Sequence, residues 1–131
     1  MRTIRISQKI PASLDALWVA CATPSGIAGW QADKVTGSVE TGETLGLGWP
    51  DLGVSIRLDV LELLERRTVV FGHGDSRVRF EVKEGEVELS HSAPFEDDEE
   101  IGTESSWRLA LGTLAHYLDR YAGHERETVW L

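Results

Sequence analysis

Apolar and polar residues alternate along most of this chain, and the breaks in that alternation divide it into elements. In residues 3–10, Ile4, Ile6 and Ile10 share one phase and Arg5, Ser7 and Lys9 take the other, the pattern of a half-buried strand. Pro11 ends it. Ser13 is a suitable N-cap for a helix over residues 14–22, in which Leu14, Leu17, Trp18 and Cys21 fall on one face. Pro24 stops that helix, because a residue before proline avoids the α region. A short second helix is predicted over residues 27–30, weakened by Gly26 and Gly29.

The period then changes to two. Strands are predicted over residues 34–39, 44–49, 54–64, 68–73, 77–83 and 86–93. The stretch 77–83 alternates cleanly, with Val78, Phe80 and Val82 against Arg77, Arg79, Glu81 and Lys83. Pro50-Asp51-Leu52-Gly53 and Glu84-Gly85 are turn sequences, and Gly72-His73-Gly74-Asp75 leads into a hairpin. Consecutive strands with short links form an antiparallel meander. Residues 95–102 read as an acidic loop around EDDEE. A last helix is predicted over residues 103–121, where Trp107, Ala110, Leu111, Leu114, Tyr117, Leu118 and Tyr121 make a broad apolar stripe. Gly123 is a natural stop, and residues 124–131 form a polar tail of unassigned order.

A single twisted sheet must cover its apolar face, and only the last helix is long enough to do so. The expected fold is therefore α+β: a curved antiparallel sheet of about six strands wrapped around a long C-terminal helix, with two short helices after the first strand. One domain spanning residues 1–131 is expected, since 131 residues suit one core.

Composition narrows the partners. The net charge of -9 argues against nucleic acid, whose phosphates need Lys and Arg to replace their counterions. Cys21 is the one cysteine, so neither an intramolecular disulfide nor a cysteine metal site is expected, and its place on an apolar helix face reads as a small buried hydrophobe. No segment reaches the ~20 apolar residues of a membrane span, and the expected compartment is the cytoplasm.

The order of elements and three local stretches resemble the START-like, or SRPBCC, helix-grip superfamily, and within it the branch similar to the heat-shock protein 90 ATPase activator domain. The stretches are PASLDALWVACATPSGIAGW at 11–30, LSHSAP at 89–94 and WRLALGTLAHYL at 107–118. Two departures stand out. Ala93 occupies a position where that branch commonly has glycine, and His73 one where it often has tryptophan. The resemblance implies a cavity between sheet and C-terminal helix, used in the superfamily for lipids, sterols, polyketides and other apolar ligands and in a few members for catalysis. It also implies that homodimers are common, although nothing in the sequence demonstrates one. On that basis Trp18 is expected in the core and Trp30 at the cavity mouth or in the core.

The chemistry in the sequence is sparse. No HExxH, CxxC, Walker loop or GxGxxG occurs, and GHGDS at 72–76 lacks the serine position of a nucleophile elbow. His116 falls on the outer side of the last helix. His91 shares a phase with Val87 and Leu89 and should face inward, either as a hydrogen-bonded structural histidine or, with His73, as a group that orients a ligand. A general base there would need a carboxylate partner, and the sequence names none. Arg57, Arg77 and Arg79 fall on the polar phase, where pairing with Glu81, Glu86 and Glu88 on a solvated face is expected. The acids at 96–100 lack the spacing of a calcium loop.

The expected function is binding of an apolar or amphipathic small molecule, with no cofactor, no metal and no intrinsic catalysis. The expected pocket is Trp30, Trp49, Phe71, His73, Phe80, His91, Trp107, Leu111 and Leu114. A protein-interaction module of the chaperone-activator kind is the first alternative. A cyclase-like or hydrolase-like enzyme is the second.

Overall fold

The computed structural model describes residues 1–119. The predicted helix end at Tyr121, the Gly123 stop and the tail at 124–131 lie outside the described residues. The elements run β1 (Arg2–Lys9), α1 (Leu14–Ala22), α2 (Pro24–Ala28), β2 (Lys34–Gly37), β3 (Thr44–Trp49), β4 (Val54–Leu64), β5 (Thr68–His73), β6 (Ser76–Lys83), β7 (Glu86–Ala93) and α3 (Asp97–Tyr117), with a 3₁₀ turn at Pro50–Leu52 between β3 and β4.

The strands form one antiparallel sheet in the order β1-β7-β6-β5-β4-β3-β2, seven strands rather than about six. From β2 to β7 it is a meander, and β1 closes the row against β7. Residues directly across a ladder share a face. One inner row is Ile4, His91, Val78, Phe71 and Val60, and the next is Ile6, Leu89, Phe80, Val69 and Leu63. The outer rows carry Arg5, Ser90, Arg79 and Val70, then Thr3, Ser92, Arg77 and Gly72.

The two helices after β1 are set by two side chains. Ser13 caps α1 by accepting from the Ala16 N–H at 3.1 Å. Thr23 then serves both helices: its hydroxyl donates to the Val19 carbonyl at 2.6 Å and accepts from the Gly26 N–H at 3.0 Å. Pro24 occupies the first turn of α2, where its missing N–H costs nothing. The second helix thus starts three residues before its predicted position. Thr23→Val is expected to lower the unfolding free energy by about 1 kcal/mol, read by urea denaturation.

At one end of the sheet α1 is tied down. The Glu84 carboxylate accepts from the Leu14 N–H at 2.9 Å, and Arg66 pairs with Asp15 at 3.2 Å. At the other end α3 begins. The acidic run is not a loop: Asp97, Asp98, Glu99 and Glu100 are the first turn of α3, and Glu96 caps it in a reciprocal capping box with Glu99. Four carboxylates suit the partial positive charge of a helix N-terminus. Arg2 adds ion pairs to Asp97 at 2.5 Å and Glu100 at 3.1 Å.

The core lies between the inner sheet face, α1, α2 and α3. Leu17, Leu45, Val69, Val87, Leu89, Leu111 and Leu114 are fully enclosed. Trp30 is buried and donates its indole N–H to the Ala20 carbonyl at 2.8 Å, whereas Trp18 is only half-buried. Trp30 thus takes the core position, one of the two expected for it, and reaches back under α1, while Trp18, expected in the core, packs against it only half-buried. Cys21 is buried as expected, and desolvation pushes its thiol up to about 12, far from the thiolate that reactivity requires.

Candidate functional site at the open end of the sheet

The nine residues expected to line a pocket fall into three groups. Trp30, Phe71, Phe80, Leu111 and Leu114 are buried. The Phe80 ring meets Trp30, Phe71 and Trp107 edge-to-face, with centroids 6.1, 6.3 and 5.8 Å apart. Trp49, His91 and Trp107 are half-buried. His73 is exposed: it keeps the inward phase of Phe71 but sits at the last position of β5, beyond the cover of the core. Its Nδ1 bonds the Arg57 carbonyl at 2.9 Å, so it lies on the rim.

The inner face is thus packed at the α1 and α2 end and uncovered at the other. The cause lies in strand length. β4 pairs with β5 only from Asp59 onward, so its residues 54–58 ladder with β3 alone. There β2, β3 and β4 continue past the end of β5 as a three-stranded arm, whose tip is the β3–β4 turn. Among its inward positions are Trp49, Val54, Ile56 and Leu58. Val54 is 45% exposed and Ile56 37%, although both share the phase of the buried Leu45 and Leu47.

Beside this apolar surface lies a polar relay that the sequence reading missed in part. The Trp107 indole N–H donates to His91 Nδ1 at 2.9 Å, and His91 Nε2 lies 2.8 Å from the Ser76 hydroxyl. Phe95 closes one side, its ring centroid 5.0 Å from that of His91. An indole N–H is a donor only. Nδ1 must therefore be the accepting nitrogen, so Nε2 carries the proton and donates to Ser76. The Ser76 hydrogen is left free, and among the described residues it has no acceptor. This tautomer also decides the chemistry of the pair. His91 has no lone pair aimed at Ser76, so it cannot take the serine proton, and Ser76–His91 is not a nucleophile–base dyad.

Burial lowers the His91 pKa from its ordinary 6.5. Charging it would also set a second N–H against the Trp107 donor. The folded protein therefore favours neutral His91. As the pH falls below 6.5 toward the lowered folded value, the unfolded chain binds the proton first. The stability from this histidine is full above that window and lost within it. Urea midpoints measured across the range should fall with acid in the native chain, and the His91 part of that fall should vanish in His91→Gln.

Ser76 was not singled out because the strand was predicted to start one residue later; its phase with Val78 was the available signal. Three grooves lined by described residues lie away from the inner face. One, of about 400 Å³, crosses the outer face of β1, β7, β6 and β5. A second, of about 330 Å³, lies over Gly46 and Gly48 beside Lys34 and Arg57. The third adjoins Arg2 and the start of α3. Among the described residues no cluster of His, Cys, Asp or Glu has the geometry to hold a metal, and no helix is long and apolar enough to cross a membrane.

No protein-family model matches the chain, and no curated protein matches it by sequence. Solved structures do match in shape. The Aha1 dimer from Colwellia psychrerythraea is 20% identical with a TM-score of 0.80, covering 92% of this chain and 98% of that one. CalU16 from Micromonospora echinospora is 24% identical with a TM-score of 0.72, covering 98% and 85%. DynU16, from the dynemicin biosynthetic locus, is 22% identical with a TM-score of 0.81; the match covers 90% of this chain and 47% of that one. Together with the seven-stranded antiparallel sheet and the long C-terminal helix, these likenesses show that the chain has the helix-grip fold.

Proposed function

We propose that this protein binds a small apolar or amphipathic molecule at the open end of the inner sheet face. Trp49, Val54, Ile56, Leu58 and Val78 would contact its apolar part. Ser76 would donate a hydrogen bond to its polar end, with His91 and Trp107 holding the serine in place. Trp30, Phe71, Phe80, Leu111 and Leu114 form the packed floor, and His73 stands on the rim. The observation that carries this reading is the pairing of uncovered inward-phase apolar side chains with one free hydroxyl donor, the combination that orients ligands in mostly apolar sites. The likeness to DynU16, from the dynemicin biosynthetic locus, is one of shape alone and is compatible with a small-molecule role.

A second reading is favoured by a different observation. Leu52, 74% exposed at the β3–β4 tip of the arm, extends the apolar surface beyond what a small ligand needs. A protein-interaction module, in line with the likeness to the Aha1 dimer, would dock on that tip. The neutral fluorophore N-phenyl-1-naphthylamine separates the two. Its emission should rise saturably with the native chain and lose most of that rise in Ile56→Glu, while Leu52→Ser leaves it unchanged. No saturable rise, or equal loss in both variants, would contradict ligand binding at the open end.

A further inference from the structure

The groove on the outer sheet face carries charge that is only partly paired among the described residues. Its floor is made of short side chains, Thr3, Ser90 and Ser92, with the Thr3 and Ser92 hydroxyls bonded at 2.8 Å. Arg5, Arg77 and Arg79 rise around that floor. The ladder puts Arg5, Ser90 and Arg79 in one row, with Arg77 two residues along β6 in the next. Arg79 reaches Glu81 at 3.7 Å. Arg5 and Arg77 make no ion pair among the described residues, contrary to the pairing expected for Arg77. Three guanidinium groups thus crowd one side of a groove in a protein of net charge -9. Glu81 and Glu88 face each other directly across the β6–β7 ladder at its other side. Like charges placed opposite one another oppose folding slightly. Both clusters would be relieved by a ligand of matching polarity, and guanidinium forks with adjacent hydroxyls are suited to tetrahedral oxyanions.

We infer that this outer groove is a second binding site, taking a small soluble phosphate ester whose other end bears a cationic group. The phosphate sits among Arg5, Arg77, Arg79 and the Ser90 and Ser92 hydroxyls. The cation sits between Glu81 and Glu88, two residues along β6 from Arg79 and roughly 7 Å away at strand spacing. The groove volume of about 400 Å³ is within the range of small-ligand sites. Its chemistry is opposite to that of the inner face, so neither site depends on the other.

Backbone amide NMR titrations test this with phosphoethanolamine, ethyl phosphate and sodium chloride at matched ionic strength. Saturable shifts at Arg5, Arg77, Arg79, Ser90 and Ser92 are expected with both phosphates and not with chloride. Phosphoethanolamine should bind at least threefold more tightly than ethyl phosphate. The double variant Arg5→Gln/Arg77→Gln should weaken both at least tenfold while its spectrum elsewhere stays native, and each single variant should weaken them about threefold if the double does not fold. Shifts that chloride reproduces, or that survive these substitutions, would overturn the site. Equal binding of the two phosphates would overturn the role given to Glu81 and Glu88. Cosedimentation with phosphatidylethanolamine vesicles would overturn the assignment to a soluble ligand.

Discussion

Alanine in place of Phe80 is expected to cost about 3–5 kcal/mol of unfolding free energy. The side chain is 1% exposed and stands in the inner row between Val69 and Leu89. Its ring is the hub of the aromatic cluster, touching Trp30 beneath α1, Phe71 on the next strand and Trp107 on α3. Removing it withdraws a buried ring, ends three edge-to-face contacts and opens a void bordered by three different elements, which cannot all move in to fill it. Phe95→Ala, at a half-buried ring near the rim, should cost far less. A urea denaturation series decides the matter, and a loss below about 1.5 kcal/mol for Phe80→Ala would mean that the sheet and α3 do not meet on this ring.

Gly26→Ala is the second large effect, and it acts through backbone. A methyl group at Gly26 would lie 1.9 Å from the Val19 carbonyl oxygen and 2.8 Å from the Ala20 Cα. Both atoms belong to α1, so no rotamer change relieves the clash, and α2 must swing away from α1. That motion would also break the bond from the Gly26 N–H to Thr23 and disturb Trp30, whose indole N–H is anchored on Ala20. A loss of about 3 kcal/mol is expected. Gly102→Ala and Gly112→Ala provide the contrast. Both lie within α3 with nothing within 4 Å of the added methyl, and each should raise stability by up to ~1 kcal/mol through helix propensity alone. If Gly26→Ala were as well tolerated as these, the close approach of α1 and α2 would be wrong.

Much of this fold was legible because its strands alternate. Residues 44–49, 54–64, 68–73 and 86–93 match the observed strands to the residue, since one face is buried and each is bounded by turn residues. The start of α3 was not legible: five acids in a row resemble a solvated loop until they are seen to cap a helix. The site was legible in part. The phase of His91 placed it inward, and it lies against Trp107 as one of two named pocket residues that bond each other. Phase could not say where cover ends. His73 has the inward phase and is exposed, and Val54 and Ile56 look like core and are not, because strand pairing beyond Asp59 is a property of the assembled sheet. The mate of His91 was hidden for a similar reason, as Ser76 lies across a hairpin and pairs with it through space.

The most direct test of ligand binding at the open end is native mass spectrometry of the freshly purified chain, followed by denaturation and extraction. A non-covalent adduct of small-molecule mass is expected, lost on denaturation and diminished in Ile56→Glu; the same spectrum reads whether the chain is a monomer or a homodimer. An adduct-free spectrum, together with no uptake when apolar and amphipathic molecules are supplied, would contradict ligand binding at the open end.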